Sequence, residues 1–227
     1  MILYNLLDKF LMRDFTKEIL KNIKKKSPVI FDVGCFAGNF SRNLKKRLNL
    51  PQKFFYLFDA NSKLKIKDFQ YYNEVFSNKI EIRNFYLNEF FPSSGSSLKK
   101  VVLNDLKWNF TRRLATLSLN KSFKSFKVKT NTLDNVCKEK KIKIIDILKI
   151  DVEGSELEVL EGGKKILNKT HILQVEILQN KKNFYKIKKK ITMLLKKYNF
   201  YQIGEKKIYS VSLFSNLKSV DLLFVKS

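Results

Sequence analysis

Histidine is almost missing from this chain of 227 residues, which has one, alongside two cysteines, three prolines and seven glycines. With Cys35 and Cys137 far from any metal-type or redox-type spacing, a Cys/His zinc site is disfavoured. Both cysteines read as reduced packing residues, and His171 as a surface or packing residue. Scarce glycine and proline beside 44% hydrophobic residues exclude a disordered or low-complexity chain. No apolar run approaches the roughly eighteen residues that cross a bilayer, and the N-terminus lacks the unbroken apolar stretch of a signal peptide, so the expected location is cytoplasmic. Acid is also in short supply, 21 residues against 46 basic ones, for a net charge of +25. Such an excess suits nucleic acid, an anionic membrane surface or an acidic substrate. The lysines, however, are spread along the chain and accompany abundant Asn, Phe, Ile and Tyr, as an AT-rich coding sequence produces. Arginine, the better fork for phosphate, is confined to Arg13, Arg42, Arg47, Arg83, Arg112 and Arg113.

What the chain does have is concentrated first at residues 28–41, PVIFDVGCFAGNFS. An apolar run ends in an acid, passes Gly34 and Gly38, and enters a segment with Phe40, Leu44 and Leu48 at helical spacing, which predicts strand, tight loop and helix. Glycines let a ligand approach backbone N–H groups, and the helix start adds partial positive charge. A second apolar run, residues 54–58, ends in Asp59, where a carboxylate is placed to accept hydrogen bonds from ribose hydroxyls.

In chain order, residues 3–26 predict an amphipathic helix ending in lysines, suited to docking on the domain, with lying on a membrane surface as the alternative. A helix is expected over 62–78 and a third strand over 80–83. Residues 84–127 lose their periodicity around a Pro/Ser/Gly loop and read as a substrate-shaping insertion, with an added strand at 126–130. Thr132 is a helix cap, 144–150 a buried strand, 155–167 a helix with acids in its first turn, and 172–178 a strand holding Glu176. A basic helix over 182–198 and strands at 200–203 and 222–225 complete the pattern. Alternating strands and helices imply an α/β fold with a mainly parallel sheet. The expected organisation is an N-terminal helix, residues 1–27, followed by one domain, residues 28–227.

The blocks Asp32–Gly38 (DVGCFAG), Phe58–Asn61 (FDAN), Thr132–Asp134, Leu148–Glu156 (LKIDVEGSE), Leu160–Gly162 and Val175–Ile177 together resemble the FkbM family of S-adenosylmethionine-dependent methyltransferases over about residues 28–225. The resemblance implies a Rossmann-like class I methyltransferase fold, with a seven-stranded sheet whose last strand is inserted antiparallel. It also implies methyl transfer to a hydroxyl of a sugar, glycan or natural product, as in polysaccharide biosynthesis. Carried over by position, Asp32, Gly34, Cys35, Phe36, Gly38, Asp59, Ala60 and Ser97 (or Ser96) are the cofactor-binding set. Asp151 and Glu153 stand where the transferable methyl and the acceptor meet. Two positions depart from the family pattern, which generally has Asn in place of Phe36 and Pro in place of Ala60.

Methyl transfer from a sulfonium needs an aligned acceptor and, for an alcohol, a base. Asp151 is the first candidate and Glu153 the second, with cofactor positioning and helix capping as their respective structural alternatives. Glu176, Trp108 and Arg112 with Arg113 are candidate acceptor contacts. Asp151, Glu153 and Glu176 as ligands of a hard cation form an alternative to a metal-free site. Two rival functions stand beside this one. A nucleic-acid methyltransferase would use the positive charge, although no amino-methylating tetrapeptide is present. A non-catalytic module would follow from a cofactor loop altered at Phe36. A dehydrogenase is disfavoured by the missing third glycine of the dinucleotide fingerprint.

Overall fold

The computed structural model describes residues 15–62, 64, 66–88, 96–107, 110, 123–208 and 215–227. Among them, seven strands form one sheet: β1 (Ile30–Val33), β2 (Phe55–Asp59), β3 (Gln70–Asn73), β7 (Ile145–Ile150), β8 (Thr170–Asn180), β9 (Phe200–Ile208) and β10 (Leu217–Lys226). Their order is β3-β2-β1-β7-β8-β10-β9. The first five are parallel, and β10 lies between β8 and β9, antiparallel to both. The inserted antiparallel last strand that the family resemblance implies is thus present. The order reverses between β1 and β7, which opens a crevice at their C-terminal ends, the usual ligand position of open α/β sheets.

The five central strands, β1, β2, β7, β8 and β10, form because they are buried on both faces, while the edge strands β3 and β9 are partly exposed. Phe31, Val33, Leu148, Ile150, Val175 and Leu222 pack on one side, while Ile30, Leu57, Ile147, Ile172 and Leu223 pack on the other. Helices cover both layers: α1 (Thr16–Asn22), α2 (Asn39–Leu48), α3 (Leu133–Glu139), α4 (Glu156–Glu161), α5 (Lys164–Leu167) and α6 (Lys181–Lys197). Thr132 caps α3, its side chain accepting the Asn135 N–H, as its position predicts. In the N-terminal segment the helix ends at Asn22, earlier than expected, because Ile23 turns extended. Phe15 and Ile19 are buried, and a Cβ at Gly204 would lie 2.5 Å from the Phe15 ring, so this helix is seated on β9. Residues 1–14 of the expected helix lie outside the described residues.

The helix expected over 62–78 is not formed. Residues 70–73 are β3, paired parallel with β2, and Val75–Phe76 is the short strand β4. Side-chain period decides the matter. Phe69 and Tyr71 face one layer while Tyr72 faces the other, where its ring stacks on Tyr56 and Phe58 at 6.3 and 5.4 Å. Alternating aromatic residues favour a pleated surface, and the lysines before them concealed that period.

The strand expected at 80–83 begins at Ile82 and runs to Asn88 as β5, but it does not join the main sheet. It pairs antiparallel with β6 (Phe123–Asn131), which also holds β4, making a second sheet of order β4-β6-β5. The insertion therefore contains a hairpin-like unit as well as loop. Glu158 on α4 fastens it to the domain by accepting hydrogen bonds from Arg83 Nη1 at 2.5 Å and Ser77 Oγ at 3.2 Å, with Lys99 Nζ at 2.9 Å. Burial raises the Glu158 pKa, but Lys99 and Arg83 outweigh it and hold the carboxyl below its ordinary range.

Candidate active site

The loop after β1 is shaped by close approach. A Cβ at Gly34 (φ 78°) would lie 1.8 Å from the Asp151 carbonyl oxygen, so glycine is what allows the ends of β1 and β7 to meet. The Gly34 and Cys35 amides both donate to the Phe58 carbonyl, at 2.9 and 3.1 Å, which ties the loop to β2. Cys35 is buried, and burial pushes its thiol far up, which fits a packing role. Phe36 stands at φ 43°, a left-handed conformation that costs a β-carbon-bearing residue about 1 kcal/mol and that Asn tolerates better. Its N–H donates to Asp59 Oδ2 at 2.9 Å, so the strained turn is closed by the acid at the end of β2.

Asp59 Oδ1 accepts the Asn61 N–H at 2.9 Å. Burial raises the pKa of this carboxyl, and the two backbone bonds oppose that rise. Each oxygen keeps a second lone pair for a ligand hydroxyl. Ala60 follows in the same partly covered turn, whose carbonyls are braced by the Tyr71 hydroxyl donating to Asn61 O at 2.8 Å and by Asn73 Nδ2 donating to Asp59 O at 2.9 Å. Arg42, given no role by the sequence, bridges the two loops. Its Nε and Nη2 donate to Asp68 at 2.8 Å each, and Nη1 donates to the Ala37 carbonyl. Gly38, at φ 74°, starts α2, which has no acid in its first turn.

Beneath this loop runs a row of charges. Asp32 is fully buried and accepts Ser41 Oγ–H at 2.7 Å. Lys149, its register partner on β7, places Nζ 3.7 Å from Asp32 Oδ1 and 3.0 Å from Asp151 Oδ2. Burial alone would lower the Lys149 pKa, but Asp151, Asp32 and Glu176 outweigh it and keep the ammonium charged. Glu176 on β8 accepts the Ser219 hydroxyl at 2.6 Å and stands opposite Asp221 of β10. The structure thus gathers Asp32, Asp151 and Glu176 around one buried lysine. That lysine lies inside the most distinctive block of the sequence, yet sequence reasoning gave it no part, because spacing does not reveal which strand faces meet.

After β7 the chain turns through Glu153 at φ 57° and Gly154 at φ 112°, a second strained turn at the same sheet edge. The carboxylate that anchors the start of α4 is Glu156, whose Oε1 accepts the Gly154 N–H at 2.6 Å. Ser97 is buried, donates to the Val152 carbonyl at 3.0 Å and lies 3.3 Å from Ser155 Oγ, so it braces this turn. Ser96 Oγ accepts the Asn88 N–H at 3.0 Å. His171 lies apart on the surface, Nδ1 3.2 Å from Asp146 Oδ1. Among the described residues no group of three or more His, Cys, Asp or Glu side chains converges as a metal site. Trp108, Arg112 and Arg113 lie outside the described residues.

The sheet order, the inserted last strand and the glycine loop define a class I methyltransferase fold. The chain belongs to the FkbM methyltransferase family, whose domain model, described as Methyltransferase FkbM domain, matches residues 48–201. It is 26% identical over 170 residues to the 2-O-methyltransferase NoeI of Sinorhizobium fredii, an overlap of 70% of this chain and 67% of NoeI. The crystal structure of an FkbM methyltransferase from Methylobacillus flagellatus matches with a TM-score of 0.48 and 8% identity, over 87% of this chain and 44% of that one. This chain therefore spans under half the length of that protein. An uncharacterized protein from Listeria monocytogenes matches with a TM-score of 0.47 and 11% identity, over 95% of this chain and 68% of the other. No helix among the described residues is long and apolar enough to cross a membrane.

Proposed function

We propose that this chain is an S-adenosylmethionine-dependent O-methyltransferase that acts on a hydroxyl of a sugar, glycan or natural product. The observation that carries the reading is the Asp32–Lys149–Asp151 row at the C-terminal edge of the parallel strands, beside the turn that Asp59 closes. Membership of the FkbM family and likeness to a 2-O-methyltransferase support it.

The residues present fit the cofactor. Asp59 is partly accessible and retains lone pairs for ribose hydroxyls, the 34–38 loop offers backbone beside it, and the start of α2 carries no opposing acid. S-adenosylmethionine, when bound, supplies an electrophilic methyl group on a sulfonium. The chain's own residues do the rest. Arg42 holds the loop closed against the Asp68 segment. Asp151, with its side chain 25% exposed, takes the proton of the acceptor hydroxyl, and Lys149 fixes the orientation of that carboxylate. Glu153 lines the same turn as a second carboxylate.

Tracing an isotopically labelled methyl group from S-adenosylmethionine into a panel of sugars and glycans tests the reading. The label is expected as an O-methyl ether on a sugar, with turnover reduced at least about 100-fold in Asp151→Asn, the scale of a lost general base. Label on nitrogen or in RNA would contradict it and favour the nucleic-acid alternative.

A further inference from the structure

On the α6 side of the Glu153–Gly154 turn lies a groove of about 330 Å³, between residues 99–104, the end of β8 and the first turns of α6. Val101 and Ile187 give it an apolar wall, and Lys99, Lys100, Asn104, Gln179 and Asn183 give it polar ones, with no carboxylate in its lining among the described residues. It is in direct contact with the catalytic turn. A Cβ at Gly154 would come 2.8 Å from Val101 Cγ2 and 3.5 Å from Gln179 Nε2. Gln179 is 5% exposed and donates through Nε2 to the Gly154 carbonyl at 3.1 Å. Its Oε1 accepts no hydrogen bond among the described residues, leaving a buried side chain on the groove with one acceptor to offer.

We infer that this groove is the acceptor subsite and that it takes an anionic sugar, one bearing a phosphate or a carboxylate as well as free hydroxyls. The inference rests on the methyltransferase reading above and adds the class of acceptor. Side-chain amides pair with hydroxyls as both donor and acceptor, and Gln179 Oε1 suits a hydroxyl proton. The anion is met by Lys100, an exposed ammonium 5.1 Å over the Tyr86 ring, while Lys99 is committed to Glu158. The first turn of α6 adds no acid to offset these cations. The groove thereby differs in sign from the acid-rich row around Lys149. An acceptor held by its anion at Lys100 would present a hydroxyl toward the turn that follows Asp151.

Calorimetric titration with glucose 1-phosphate, glucuronate and methyl glucoside, on protein saturated with S-adenosylhomocysteine, tests this. At least one anionic probe is expected to bind ten or more times more tightly than methyl glucoside, and which one does so separates phosphate from carboxylate as the source of charge. Lys100→Glu is expected to abolish that preference, and Gln179→Leu to weaken all sugar binding about tenfold, with the melting temperature of each variant recorded. S-adenosylhomocysteine binding with no anionic preference, or a preference that survives Lys100→Glu in a folded variant, would overturn the inference. Failure of S-adenosylhomocysteine itself to bind would instead overturn the methyltransferase reading.

Discussion

Lys149→Met is expected to destabilise the fold by about 3–5 kcal/mol, because it leaves Asp32 buried and Asp151 facing it without their shared cation. For a domain of this size that lowers the melting temperature by roughly 6–20 °C. Methyl transfer in whatever remains folded is expected to fall about 100-fold in kcat, since Asp151 loses the partner that orients it. Two companions separate charge from packing. Lys149→Met combined with Asp32→Asn removes the most deeply buried unpaired acid, and is expected to recover part of the stability but not the turnover. Lys149→Arg keeps the charge and is expected to fall between. Thermal unfolding and steady-state kinetics check these outcomes. A Lys149→Met variant as stable and active as the parent would show that the row is not a functional unit.

Glu156→Gln is expected to flatten the pH dependence of stability. Glu156 is fully buried at the start of α4, its Oε1 receives the Gly154 N–H, and its Oε2 has no partner among the described residues. Burial pushes its pKa from the ordinary 4.5 up to about 8, with Asp151 and Glu153 adding to the rise and backbone N–H bonds opposing it. The folded state therefore holds a proton that the unfolded chain releases. Stability from this group is complete below pH 4.5 and is lost as pH rises through about 8. The loss is on the order of 2–4 kcal/mol. Glutamine keeps an acceptor for Gly154 and has nothing to ionise. Urea unfolding at pH 5.5 and pH 9 should show the parent losing about that much more than the variant. Parallel losses in the two proteins would contradict the buried-proton account.

Much of this site was legible in the sequence because its logic is local. Gly34, Gly38 and Asp59 announce a loop between strand and helix, and the positive φ found at Phe36 is a conformation that the Asn usual at this position in the family pattern tolerates better than Phe. The main sheet followed from apolar runs at β1, β2, β7 and β8. What was missed depends on long-range pairing. The 62–78 segment has the lysine density of a surface helix, yet Tyr71 and Tyr72 face opposite layers once β2 pairs with β3. Residues 80–83 read as a third strand of the main sheet, yet the strand found there, 82–88, pairs with 123–131 in a separate sheet. Lys149 acquires its role only when register sets it beside Asp32, and Glu158 only when the small sheet docks on α4. Each of these is a contact between residues far apart in the chain, which periodicity and motif spacing do not encode.

Calorimetric titration with S-adenosylmethionine and S-adenosylhomocysteine, on the parent protein and on Asp59→Ala, tests whether the turn closed by Asp59 holds the cofactor. Both ligands are expected to bind the parent saturably and the variant at least tenfold more weakly, about 1.4 kcal/mol. No binding to the folded parent at millimolar ligand, or equal affinity in folded Asp59→Ala, would contradict this.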